Sequence, residues 1–173
     1  NKSVLYEVSS LLSQKKFRIY FNNDIIGTQL GGAMKNVIAI ACGLIKGKNI
    51  GENARAAIIT RGMSEIVQLG VKMGAKRNTF YGLSGIGDLT LTCSSMRSRN
   101  TRLGYEIAKG ENLSKLRKKC VLEGIESCES ICNLGKKYNV ELPLCNAVKK
   151  IINGVEVNKI ISSLLSRPLQ FEK

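Results

Sequence analysis

Apolar residues at positions 4, 5, 8, 11 and 12 recur on one face of a 3.6-residue turn, so Val4 to Leu12 predicts a short amphipathic helix. The next apolar cluster, "FRIYF" at Phe17 to Phe21, is aromatic and β-branched and predicts a strand. From Ile25 onward the pattern is helical. Leu30, Met34, Val37, Ile38, Ala41, Leu44 and Ile45 form a stripe that Gly47 interrupts. A second helix is expected from about Asn53 to Met73, with Ala57, Ile58, Ile66, Leu69 and Met73 as its apolar residues. Gly62 and Gly70 would let a neighbour approach closely, and Gly74 suits a C-terminal stop. Shorter helices are expected near 101–109, 124–138, 144–153 and 157–165, punctuated by Gly110, Gly154 and Pro168. The remaining extended stretch is "VEL", just before Pro143.

This pattern places the chain in the mainly α class. Residues 1–22, one helix and one strand, cannot close a sheet by themselves. They are expected to be the end of a larger α/β domain, with 23–173 forming a helical domain. The 173 residues are 43% hydrophobic, enough for a sizeable core. No fixed-period repeat and no low-complexity linker divides them. The longest apolar run, Val37 to Ile45, is nine residues. A bilayer span needs about twenty, so no membrane insertion is expected. The N-terminal residues lack a signal-peptide pattern.

Charge changes the picture. Lys and Arg number 27 against 13 acids, a net +14. Such a balance favours polyanions, phosphorylated metabolites or an acidic membrane surface. Much of it reads equally as a solvated surface: Lys115, Arg117, Lys118 and Lys119, and the doublets Lys136–Lys137 and Lys149–Lys150. Aromatics are 5% and are not interleaved with the arginines, which leaves no stacking platform for nucleic acid bases. Histidine is absent, excluding an imidazole base or ligand. The six cysteines form no C-x-x-C pair, and Cys128 and Cys132 lack a second pair to complete a zinc site. They read as free thiols in a reduced, cytoplasmic protein, with no metal expected.

Three segments carry candidate chemistry. In "QLGGAMKNVIAIACG", Lys35 falls about 120° from the centre of the apolar stripe. Gly31, one turn earlier, would leave its amine uncovered. A partly desolvated lysine there suits a proton donor or acceptor, and a lysine snorkelling from a helix border has the same pattern. "GLSGIGDL", Gly82 to Leu89, reads G-x-x-G-x-G rather than as a dinucleotide fingerprint. It would place Asp88 at the start of a helical turn, either to cap it or to orient substrate and lysine. Between Ser94 and Arg102 lie three arginines, three serines, an asparagine and a threonine. Ser98, Arg99 and Asn100 precede the helix expected at Thr101, a combination that suits a phosphate, although an exposed basic loop has the same composition. Arg97, Arg99 and Arg102 cannot all face one group.

The segments "IGTQLGGAMKNVIAIACG", "ENARAAIITRGMSEI", "GLSGIGDLTLTCSSMRSRNTRLG" and "VLEGIES" resemble, in order, those of bacterial NAD(P)-dependent glycerol-3-phosphate dehydrogenases. The resemblance implies a helical C-terminal domain of the 6-phosphogluconate dehydrogenase C-terminal-domain type, preceded by a Rossmann domain. It makes Lys35 the proton donor and acceptor for the substrate C2 oxygen. Asp88, Ser98, Arg99 and Asn100 become substrate contacts, Arg99 also touches the cofactor, and Val121 and Glu123 border the cofactor. The implied reaction interconverts dihydroxyacetone phosphate and sn-glycerol 3-phosphate with NADH or NADPH, feeding glycerophospholipid synthesis, in a cytoplasmic homodimer. The chain departs from the family in lacking the G-x-G-x-x-G unit, keeping only the last helix and strand in residues 1–22, so turnover by these residues alone is not expected. The competing readings are another two-domain dehydrogenase acting on a small phosphorylated or hydroxy-acid substrate, and a basic helical module that binds nucleic acid.

Overall fold

A computed structural model describes residues 2–119 and 123–165. The chain runs through α1 (Lys2–Leu12), α2 (Ile25–Gly47) and α3 (Glu52–Lys72), then a 3-10 turn (Arg77–Tyr81) and a π-helical turn (Leu83–Gly87). There follow α4 (Asp88–Ser94), α5 (Arg99–Ala108), α6 (Leu113–Lys119), α7 (Glu123–Lys137), α8 (Pro143–Ile152) and α9 (Val157–Leu165). The expected helices appear within a few residues of their bounds. Gly74, Gly110 and Gly154 follow helix ends with φ of 95°, 91° and 94°, a region that favours glycine.

The strand expected at Phe17–Phe21 does not form. Gln14 and Phe17 make one isolated antiparallel bridge, and the rest of the segment is irregular. A strand needs a neighbour for its N–H and C=O groups, and none is offered among the described residues. Phe21 instead meets Tyr6 of α1 edge to face, 5.6 Å between ring centres. Val4, Leu5, Tyr6, Leu11, Leu12, Phe17 and Tyr20 stay exposed.

Helix α2 is the axis of the molecule. Its N-cap, Asp24, accepts from the Gly27 N–H at 2.9 Å. The same carboxylate accepts from the Lys76 N–H at 2.8 Å and the Thr79 hydroxyl at 2.6 Å, tying the 3-10 turn to the helix start. The predicted stripe is buried, and so are Ile40 and Cys42 on its flanks and Ala39 on the opposite side. The reason is coverage: α3, α4, α5, α7 and α8 all pack against α2. By length and composition this helix could cross a membrane, but its apolar positions are already spent on the core.

Glycines set how tightly the helices meet. A Cβ on Gly43 would stand 2.0 Å from the Thr101 carbonyl oxygen, and one on Gly104 2.0 Å from that of Ile40. The backbones of α2 and α5 therefore touch. As expected from the pattern, Gly62 and Gly70 accept close neighbours, the side chains of Ile38 and Phe80. Glu65 of α3 is buried and accepts from the Leu144 and Cys145 N–H groups at 2.5 and 3.2 Å, so it caps α8 from another helix.

Candidate active site

Lys35 stands on α2 and Asp88 opens α4. The Lys35 Nζ donates to Asp88 Oδ2 at 2.5 Å, with side chains 23% and 35% exposed. The glycine-rich stretch between the 3-10 turn and α4 brings them together. A Cβ on Gly85 would lie 2.1 Å from the Phe80 carbonyl oxygen, and one on Gly31 2.9 Å from that of Ser84. The stretch thus lies flat on α2 and delivers the acid to the lysine. The spacing predicts that Gly31 opens a path to the amine, but the Ser84 carbonyl fills that place. The open glycine is its neighbour Gly32, where a Cβ would meet nothing within 4 Å.

Asp88 does not cap its helix. Gly87 holds the N-cap position, with no side-chain bond. The Asp88 carboxylate serves Lys35, while the Thr92 hydroxyl, one turn along, donates to the Asp88 carbonyl at 2.7 Å and lies 3.3 Å from the carboxylate. The Thr92 carbonyl accepts from the Thr101 hydroxyl at 2.9 Å, which joins α4 to α5. The sequence signal for Thr92 is its i+4 spacing from Asp88, which puts the two on one helix face.

At the start of α5 the three predicted residues part company. Ser98 is the N-cap and accepts from the Thr101 N–H at 3.3 Å. Asn100 is buried, and its Oδ1 accepts from the Gly124 N–H at 3.1 Å. A Cβ on Gly124 would come 3.0 Å from the Asn36 carbonyl oxygen, so α7 begins beside the residue next to Lys35. Arg99 stays half exposed and donates to Glu123 Oε1 at 2.8 Å. Arg102 turns away to the Met96 carbonyl at 3.2 Å, and Arg97 is exposed. Lys35, Asp88, Asn100, Arg99 and Glu123 thus form one connected region around α2, α4, α5 and α7. Val121, the remaining expected contact, lies outside the described residues.

The five described cysteines are free and buried. The Cys93 thiol is pushed up by its bond with Cys42 and by burial, and Cys145 by burial and the nearby Glu65 carboxylate. Among the described residues no group of three or more potential protein ligands is placed to hold a metal ion.

Residues 24–162 match the family model for the NAD-dependent glycerol-3-phosphate dehydrogenase C-terminus. The chain is 45% identical over 159 residues to a glycerol-3-phosphate dehydrogenase (NAD(P)+) of Parvibaculum lavamentivorans, covering 90% of this chain and 48% of that protein. It is 43% identical over 170 residues to the enzyme of that name from Clostridium perfringens, covering 96% and 51%. A solved structure of glycerol-3-phosphate dehydrogenase from Coxiella burnetii superposes with a TM-score of 0.92 at 35% identity, covering 96% of this chain and 52% of that one. The chain spans about half the length of the curated relatives it matches. Every described residue of the Lys35–Asp88 region lies inside the matched span, and the chain belongs to the C-terminal domain family of the NAD-dependent glycerol-3-phosphate dehydrogenases.

Proposed function

We propose that the protein interconverts dihydroxyacetone phosphate and sn-glycerol 3-phosphate with NADH or NADPH, and that this chain supplies the proton-transferring and phosphate-binding side of the site. The observation that carries the reading is the Lys35–Asp88 pair, a half-buried ammonium held at 2.5 Å beside open space at Gly32. An ammonium has three donors, and Asp88 engages one of them. The others are free to meet the C2 oxygen of a bound ketone. When bound, the nicotinamide supplies the hydride that reduces C2. Lys35 stabilises the negative charge that develops on the oxygen and gives it a proton, leaving a neutral amine to be reprotonated from solvent. In the oxidising direction the neutral amine takes the hydroxyl proton.

Arg99 engages Glu123 through one of its five N–H groups and is otherwise open to solvent at the start of α5. Donors of that kind beside a helix N-terminus fit a phosphate or pyrophosphate. Ser98 caps the helix on which Arg99 stands, and Asn100 secures α7 beneath it. Substrate contacts are assigned to Lys35, Asp88, Ser98, Arg99 and Asn100, and cofactor contacts to Arg99, Val121 and Glu123. The excess of lysine and arginine is read as attraction for these phosphorylated ligands rather than for nucleic acid. Residues 1–22 are assigned to the nucleotide-binding domain. A cytoplasmic homodimer feeding glycerophospholipid synthesis completes the proposal.

The test uses the polypeptide as the cell makes it. Loss of reduced-nicotinamide absorbance is followed with dihydroxyacetone phosphate as substrate. Lys35→Ala should lower kcat by about 10²–10⁴ while leaving the melting midpoint near that of the parent. A parent without turnover, or a variant that retains it, would refute the proposal.

A further inference from the structure

Arg99 stands in the first turn of α5, where the partial positive charge of the helix disfavours a second cation. It nonetheless holds a defined position, because the carboxylate of Glu123 reaches it from the first turn of α7 at 2.8 Å. That acid meets two positive groups, the guanidinium and the N-terminus of its own helix. It is well placed to leave the first and keep the second. We infer that Glu123 is an internal counter-ion that stands in for the ligand's anion on Arg99, so that binding exchanges a carboxylate for a phosphate group. The inference rests on the anion-binding role proposed for Arg99 and adds a competitor to it.

The geometry suits an exchange rather than a permanent lock. A single guanidinium nitrogen donates to a single carboxylate oxygen, whereas a phosphate can take two parallel donors from the same fork. Both side chains are about half exposed, 54% and 51%, so the pair is screened and weak, and an incoming anion can displace it. Glu123 thereby keeps Arg99 aimed in the empty protein and discriminates against weakly charged anions, which do not repay its displacement.

Inorganic pyrophosphate is the probe, because it presents the anion to Arg99 without the rest of a cofactor. Its affinity for the natural polypeptide is measured by titration calorimetry. Glu123→Gln should bind it about fivefold more tightly at low salt, the equivalent of losing one exposed ion pair. The gain should vanish at high ionic strength, where such a pair is screened. Glu123→Asp keeps the charge on the first turn of α7 but withdraws it from Arg99, and should show a smaller gain. It decides the matter if Glu123→Gln does not fold. Combining Glu123→Gln with Arg99→Ala should abolish the gain. Unchanged or weaker pyrophosphate binding in both Glu123 variants, with Arg99→Ala still weakening it, overturns the counter-ion role alone. If Arg99→Ala leaves pyrophosphate binding intact, both this inference and the anion site beneath it fail.

Discussion

Helices α2 and α5 cross with their backbones in contact, and Gly43 sets that distance. An alanine there would place Cβ 2.0 Å from the Thr101 carbonyl oxygen and 2.8 Å from the Tyr105 nitrogen. Ordinary contact begins at 3.4 Å, so α5 would have to retreat by about 1.4 Å, the difference between 3.4 and 2.0. Both obstructing atoms are backbone and cannot swing aside. Overpacking costs about 1–3 kcal/mol, and a backbone clash belongs at the upper end. Alanine's better helix propensity returns about 1 kcal/mol, leaving a net loss of about 2 kcal/mol. For a domain of this size that lowers the melting midpoint by about 4–8 °C. Gly32→Ala, on the same helix, is the control. Its Cβ would meet nothing within 4 Å, so only the propensity gain of about 1 kcal/mol applies, and the midpoint should rise by about 2–4 °C. Scanning calorimetry of the parent and both variants reads the two signs directly. A Gly43→Ala midpoint at or above that of the parent would show that the helices are not in backbone contact, and the reasoning would fail.

Other substitutions probe the supports of the site. Asp24→Asn keeps an acceptor for the Gly27 N–H but turns an amide NH2 toward the Lys76 N–H, and should cost about 1–2 kcal/mol at neutral pH. The Thr79 hydroxyl, then the Gly27 N–H and the Lys76 N–H, hold the Asp24 carboxyl below its ordinary 3.8 against the opposing effect of burial. A depressed carboxylate stabilises fully above its unfolded value and progressively less as pH falls through the folded one, so the gap between parent and variant should narrow below about pH 4. Urea midpoints across that range check this, and a gap that widens toward acid would contradict it. Glu65→Gln puts an amide NH2 where the N–H groups of Leu144 and Cys145 need acceptors, and should destabilise by about 1–3 kcal/mol. Faster amide hydrogen exchange at those two residues is the expected signature, and unchanged protection would count against the cap. Cys93 is buried, with its thiol pushed up, and should react with a thiol-specific electrophile only after unfolding. Mapping of labelled peptides in native buffer tests this, since rapid native labelling would place Cys93 nearer the surface.

Much of the architecture follows from neighbours along the chain. The period of Leu30, Met34, Val37, Ile38, Ala41, Leu44 and Ile45 made α2 a buried helix, because side chains spaced by one turn share a face whatever packs against them. Gly74, Gly110 and Gly154 marked helix ends, because a positive φ is a property of the residue itself. The same local reading put Lys35 at the edge of the buried face and Asp88 at a helix start.

Tertiary structure decided what those residues meet. "FRIYF" has strand composition but forms no strand, since pairing needs a partner that composition does not supply. Helix α6, at seven residues, is too short for a period to reveal. Gly31 and Gly32 are alike in the sequence, and only the position of the Ser84 carbonyl separates the filled one from the open one. Asn100 is next to Arg99 in the sequence, and only the packing of α7 reveals that its Oδ1 accepts from the Gly124 N–H. Lys35 and Asp88 are 53 residues apart, and Glu65 caps a helix 79 residues away. Dihedral preference and periodicity act within a few bonds, so the sequence alone determined the helices and the charges they carry. Ion pairs, caps and clashes act through space between distant segments, so only the packing of α4, α5 and α7 around α2 decided which charges face one another.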